Sequence, residues 1–126
     1  MIHFDKSIIG TDLSKKYGID PRFKVFRYVY RDDWKEAKAR FVVHFQLKNM
    51  SATANKRFSA IPMMFLIHFR GFMAKYWLCD KETGECMGVY HWRTLKDAKR
   101  YSKSIAMCFM SKRSVKGSVW CKITKL

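Results

Sequence analysis

Gly71-Phe-Met-Ala-Lys-Tyr-Trp-Leu-Cys-Asp-Lys-Glu-Thr-Gly-Glu-Cys-Met-Gly-Val-Tyr-His-Trp-Arg93 decides the fold. Phe72–Cys79 and Cys86–Arg93 are rich in aromatic and large apolar residues and read as two strands. Between them, Asp80–Glu85 carries Gly84, suited to the left-handed position of a longer hairpin loop. Setting Cys79 opposite Cys86 places Trp77 against Gly88, Lys75 against Tyr90 and Met73 against Trp92, unless a bulge shifts the register. The missing side chain of Gly88 leaves room for the Trp77 indole. The other face then carries Phe72, Ala74, Tyr76, Leu78, Met87, Val89 and His91. Both faces are apolar, so both need a covering layer.

Working outward, Phe41–Leu47 alternates as a strand. A helix is expected from Ser51 toward His68, with Pro62 breaking its regularity because proline lacks an N–H and clashes with the preceding turn. After the hairpin, Thr94 caps a helix on which Leu95, Ala98, Tyr101, Ile105 and Phe109 recur at three-to-four spacing. A turn over 115–118 leads to a last strand, Val119–Thr124. Strand, helix, strand, strand, helix, strand is an α+β order. It is the ferredoxin-like βαββαβ split unit, a four-stranded antiparallel sheet with two helices on one face.

This unit spans residues 39–126. Residues 1–38 read as an N-terminal appendage. It holds a short helix over Leu13–Tyr17 between Asp12 and Gly18, a strand over Phe23–Tyr30, and a helical turn from Asp32 or Asp33 through Lys38. Two helices cover one face of the hairpin. Burying each large side chain on the other is worth roughly 1.5–3 kcal/mol, so a two-fold homodimer packed sheet to sheet is expected. Cover from residues 23–38 of the same chain is the alternative.

The chain has 126 residues, 48% hydrophobic, and this is enough to exclude a disordered class. Its formal charge is +16. The excess is concentrated in residues 39–126, where 17 Lys/Arg face four Asp/Glu. Such a surface suits an anionic partner or simply a solvated basic face. No basic start with a long apolar run opens the sequence, and Ile61–Ile67 is too short to span a bilayer, so a cytoplasmic protein with no membrane span is expected. Cys79, Cys86, Cys108 and Cys121 show no metal-binding spacing. A cross-strand Cys79–Cys86 pair would come within disulfide reach, though strained.

Gly71-Phe-Met-Ala-Lys-Tyr-Trp, then Gly88-Val-Tyr-His-Trp, then Ala98 and Tyr101, together with Val43-His44-Phe45 and the closing Val115-Lys-Gly-Ser-Val, resembles the YdhR-type family of mono-oxygenase-like proteins. That family belongs to the dimeric α/β-barrel superfamily. The resemblance covers residues 39–126, with Arg70 where the family has proline. It implies a dimeric barrel, an apolar cavity between sheet and helices, and no cofactor. Members of the wider superfamily oxidise polycyclic phenols without metal or flavin, the deprotonated substrate itself giving electrons to oxygen.

Such a site needs an apolar pocket with a base or hydrogen-bond donors beside it. The catalytic candidates are His44, Lys75, Tyr76, Tyr90 and His91, with Lys75 placed to stabilise a phenolate. Trp77, Trp92, Tyr101 and Phe45 are candidates to line the pocket. Haem is also handled in this superfamily, and His68 is the helical histidine that would ligate it. A non-enzymatic small-ligand protein is the second reading. The third is nucleic-acid binding, because RNA-recognition modules share this strand–helix order and stack bases on the sheet. Cys86-Met-Gly-Val-Tyr-His-Trp lacks their Lys/Arg-Gly-Phe/Tyr-Gly/Ala-Phe signature, which disfavours it.

Overall fold

The computed structural model describes residues 1–48, 54 and 60–126. The strands are β1 (Ile2–Phe4), β2 (Lys24–Arg31), β3 (Ala39–Phe45), β4 (Phe72–Cys79), β5 (Cys86–Trp92) and β6 (Trp120–Lys125). The helices are α1 (Ser14–Tyr17), α2 (Ala60–Leu66), α3 (Leu95–Ser102) and α4 (Ile105–Lys112). A 3-10 turn, Trp34–Glu36, stands where a helical turn is expected before Lys38. Ser51 and the first part of the expected helix lie outside the described residues.

The sheet is antiparallel throughout, in the order β1-β2-β4-β5-β3-β6. Its inner part, β4-β5-β3-β6, is the ferredoxin-like arrangement. The sheet has six strands rather than four, because β2 pairs with the edge of β4 that the split unit leaves open and β1 pairs with β2.

The hairpin register matches expectation at three positions: Lys75 lies opposite Tyr90, Trp77 opposite Gly88 and Cys79 opposite Cys86. It departs at the start of β4. A bulge between Phe72 and Ala74 takes Met73 out of the pairing, so Phe72, not Met73, faces Trp92. Phe72 thereby turns to the helix side and joins Trp77, Tyr90 and Trp92 in the larger core cluster. Gly71 sets this up. Its φ is +82°, and its carbonyl accepts from Arg93 N at 2.8 Å.

The expected helix after Thr94 is two helices. Thr94 Oγ1 accepts from Asp97 N and caps α3. Ser104 Oγ accepts from Met107 N and caps α4. The serines around Lys103 compete for backbone hydrogen bonds, as Ser102 Oγ does by donating to Lys99 O at 2.7 Å, and the helix breaks there. Ala98 and Tyr101 are buried as their spacing predicts, whereas Ile105 and Phe109 are exposed. With α2, three helical segments cover one face of the sheet.

The second face is covered by the chain itself. Leu13, Ile19 and Phe23, with Ile8, Tyr17 and Trp34 beside them, pack on Ala74, Tyr76, Leu78, Met87 and Val89. Every residue of β4 and β5 is consequently buried. Residues 8–34 thus cover this face within the chain, reaching further toward the N-terminus than the expected intrachain cover from residues 23–38. Arg31 then ties this part to the rest, donating from Nε to Phe72 O at 3.0 Å and from Nη2 to Ile67 O at 2.7 Å.

Candidate functional site

A cleft of about 960 Å³ opens between the helix side of the sheet and helices α2 and α4. Trp77, Gly88 and Tyr90 form its floor, with Phe26 and Phe45 from neighbouring strands. Met63, Leu66 and Phe69 wall one side, and Met107 and Met110 the other. Tyr101 of α3 closes the inner end beside Tyr90. Exposed Phe65, Ile105 and Phe109 form an apolar lip, with Lys48, Lys112 and Arg113 among them.

Lys75 is the buried charged residue of this lining. Its Nζ lies 4.2 Å from the centre of the Trp77 ring and 4.3 Å from that of Tyr90. The alternation of β4 puts it on the same face as Trp77, and Gly88 makes the space. A β-carbon on Gly88 would lie 2.8 Å from Tyr90 Cε1 and 3.3 Å from Lys75 Cε. The first atoms such a β-carbon would meet are thus those of the Tyr90 ring, the Lys75 stem and Val43. Burial, and secondarily the charge of Arg27, pushes the Lys75 ammonium well below its usual pKa. Two ring faces offset part of that. A desolvated cation–π contact is worth about 2 kcal/mol, less than the several kcal/mol a buried ion loses in hydration. A neutral amine is therefore readily reached.

Tyr90 and Tyr101 bring two buried hydroxyls to the described lining. Their hydroxyls are 3.3 Å apart, and either can donate. Burial raises both phenol pKa values, that of Tyr90 strongly, with Tyr101 adding to it, so both stay protonated in the neutral range.

The remaining candidates are not brought to this site. Trp92 is fully buried behind the cleft wall, stacked on Tyr90 with ring centres 6.1 Å apart. Tyr76, His91 and His44 point to the second face. The Tyr76 ring stacks on Tyr28 at 4.1 Å, and its hydroxyl accepts from Lys16 Nζ at 3.2 Å. His91 Nε2 accepts from Arg40 Nε at 3.3 Å, while Nδ1 has no partner among the described residues. Burial, then Arg40 and Lys16, lowers its pKa to about 4. His44 is held by Glu85 Oε1 at 2.8 Å and by Ser118 O. Glu85 also binds Arg22, and its carboxyl falls to about 2, chiefly through that guanidinium. His68 lies beyond the end of α2, is exposed, and does not line the cleft. Among the described residues, no group of three or more His, Cys, Asp or Glu is placed to hold a metal.

The helix-side wall is what residue chemistry alone did not single out. Met107 and Met110 sit at helical spacing, a signal that reads equally well as ordinary core. The same chain covers both faces of β4 and β5. No helix among the described residues is long and apolar enough to cross a membrane.

No protein-family model matches the chain, and no curated protein matches it in sequence. Solved structures do match in fold. One is an uncharacterized ferredoxin fold protein from Listeria monocytogenes, related to antibiotic biosynthesis monooxygenases; its TM-score is 0.63 at 8% identity, over 80% of this chain and 62% of that one. A monooxygenase-like protein from Listeria innocua has a TM-score of 0.64 at 10% identity, over 82% and 62%. SnoaB, a cofactor-independent oxygenase from Streptomyces nogalater, has a TM-score of 0.54 at 12% identity, over 71% and 93%. The chain thus shares the ferredoxin-like fold of monooxygenase-like proteins and spans about 62% of the length of the two Listeria structures.

Proposed function

We propose that the cleft binds a planar, apolar small molecule with an acidic hydroxyl or C–H group, and that the bound molecule is oxygenated without a cofactor. The observation that carries this reading is Lys75, a buried amine between two aromatic rings in an otherwise apolar cleft. A neutral Lys75 takes the proton of the bound molecule and, as an ammonium, stays beside the anion it has made. Desolvation strengthens that attraction. The electron-rich anion then reduces oxygen itself. A ring CH₂ becomes C=O, one oxygen atom enters the carbonyl, and the other leaves as water with the two hydrogens. All electrons come from the organic molecule. Fold-level likeness to a cofactor-independent oxygenase supports this, as does the YdhR-type resemblance of the hairpin.

The test uses anthrone, a tricyclic probe with an acidic CH₂. Binding is read from tryptophan fluorescence, since Trp77 is in the floor, and turnover from oxygen uptake and product mass. Saturable binding, with oxygen uptake that Lys75→Met reduces by about 10²-fold or more, the low end of a general base's contribution, is the expected result. Binding without oxygen uptake would favour a ligand-binding protein that does no chemistry. Neither binding nor uptake, by anthrone or by smaller naphthols, would overturn the cleft as a site.

A further inference from the structure

The Lys75 amine is a nucleophile as well as a base. We propose that Lys75 captures an apolar aldehyde or ketone in the cleft as an imine, a covalent chemistry distinct from oxygenation. It rests on the reading that the cleft admits apolar molecules.

Four observations carry it. The Lys75 side chain is nine-tenths buried yet belongs to the cleft lining, so an entering molecule meets it without leaving the cleft. No hydrogen bond or ion pair among the described residues engages its Nζ, so no carboxylate pins it as an ammonium. The walls around it are apolar and aromatic, which suits an aryl or alkyl carbonyl and keeps out competing water. The two rings at 4.2 and 4.3 Å face the position a cationic iminium would take, and stabilise it as they would an ammonium. The lowered basicity of the buried amine adds to this, because a lysine attacks only in its neutral form.

The step balances without a co-reactant. The nitrogen lone pair forms a C–N bond while the carbonyl π pair moves to oxygen, giving a carbinolamine. The carbinolamine then loses its hydroxyl and one proton as water, leaving C=N. Nothing is oxidised or reduced. Tyr90 and Tyr101, with paired hydroxyls in the same cleft, are protonated in the neutral range and are the proton donors at hand for the departing hydroxyl.

The test is reductive trapping. The full chain is incubated at neutral pH with 2-naphthaldehyde and cyanoborohydride, and the adduct is mapped by peptide mass spectrometry. The expected result is a secondary amine at Lys75, formed at least about tenfold faster than at solvent-exposed lysines, the advantage that a pKa lowered by one unit confers. Lys75→Met, checked for folding by thermal melting, loses that adduct and keeps the slow surface labelling. In parallel, 2-naphthol, which cannot form an imine, reports on the cleft by fluorescence. If 2-naphthol binds but Lys75 is labelled no faster than surface lysines, the imine proposal is overturned and the cleft stands. Failure of both would overturn the cleft reading as well.

Discussion

Gly88 and Tyr90 share one volume: a β-carbon on Gly88 would lie 2.8 Å from Tyr90 Cε1, nearer than non-bonded carbons approach. Gly88→Ala must therefore displace a fully packed ring and the Lys75 stem behind it. The expected cost is about 1–3 kcal/mol, the range for overpacking a core. Gly88→Ala with Tyr90→Leu should cost less than the sum of the two single changes, because the smaller side chain vacates the contested space. Denaturant unfolding of the four proteins checks this, and strict additivity would show that the contact is not what restricts position 88.

Gly71 is constrained twice. Its φ is +82°, and a β-carbon there would lie 2.2 Å from Asp97 Oδ2. Asp97 cannot simply swing away, since its carboxylate accepts from Thr94 Oγ1 at 2.8 Å and from Arg100 Nη1 at 3.0 Å. Gly71→Ala is expected to destabilise by at least about 2 kcal/mol, combining left-handed strain with the loss of the α3 cap. A melting temperature unchanged from wild type would contradict the turn geometry.

His91 makes the fold sensitive to acid. Its pKa is lowered to about 4 in the folded chain, against 6.5 when exposed. Between those values the unfolded chain binds more protons, so the contribution of His91 to stability is complete above pH 6.5 and is lost as pH falls toward 4. The full span corresponds to about 3 kcal/mol. Arg40 and Lys16, the cations beside the ring, act in the same direction. His91→Gln keeps an acceptor for Arg40 and removes the titration. Urea midpoints between pH 7 and pH 4.5 should fall less steeply for this variant than for wild type; parallel slopes would sink the assignment.

Lys75 acts in the same direction as His91, but at higher pH. Its ammonium is held well below the usual lysine pKa by burial and by Arg27, so near neutrality the unfolded chain is the better proton acceptor. Wild-type stability should climb as pH rises from 7 toward 9, while Lys75→Met should lack that climb. At pH 7 the variant should be the more stable protein, because it removes a buried amine whose protonated form has lost its hydration. Higher stability joined to lost chemistry would mark Lys75 as retained for function. A variant less stable than wild type at both pH values would mean that the amine is well solvated.

The hairpin was readable because its pattern has period two and a fixed turn. Lys75 opposite Tyr90 and Trp77 opposite Gly88 follow once Cys79 is set against Cys86. The bulge at Met73 was not readable, since it answers to the packing of Phe72 against Trp92 rather than to local propensity. Both faces needing cover was legible; the identity of the second cover was not. Leu13, Ile19 and Phe23 are scattered over turns, and only their long-range contacts reveal a layer. At the site, Lys75, Trp77, Tyr90, Tyr101 and Phe45 came together as their faces and spacing suggest. His44, His91 and Tyr76 did not, because residue type says nothing about which side of a sheet is hollow.

The order of the strands also sets a schedule for synthesis. Among the strands of the described residues, β1 alone precedes β2, and a two-stranded pair is marginal in water. Its main partner, β4, is made only after β3 and α2 have emerged. In that interval an aromatic strand, Val25 to Tyr30, waits on the nascent chain with one edge unsatisfied. The yield of the protein at the ribosome should therefore be governed by how long β2 waits, and agents that shield such edges, or lower temperature, should raise it without altering the finished molecule.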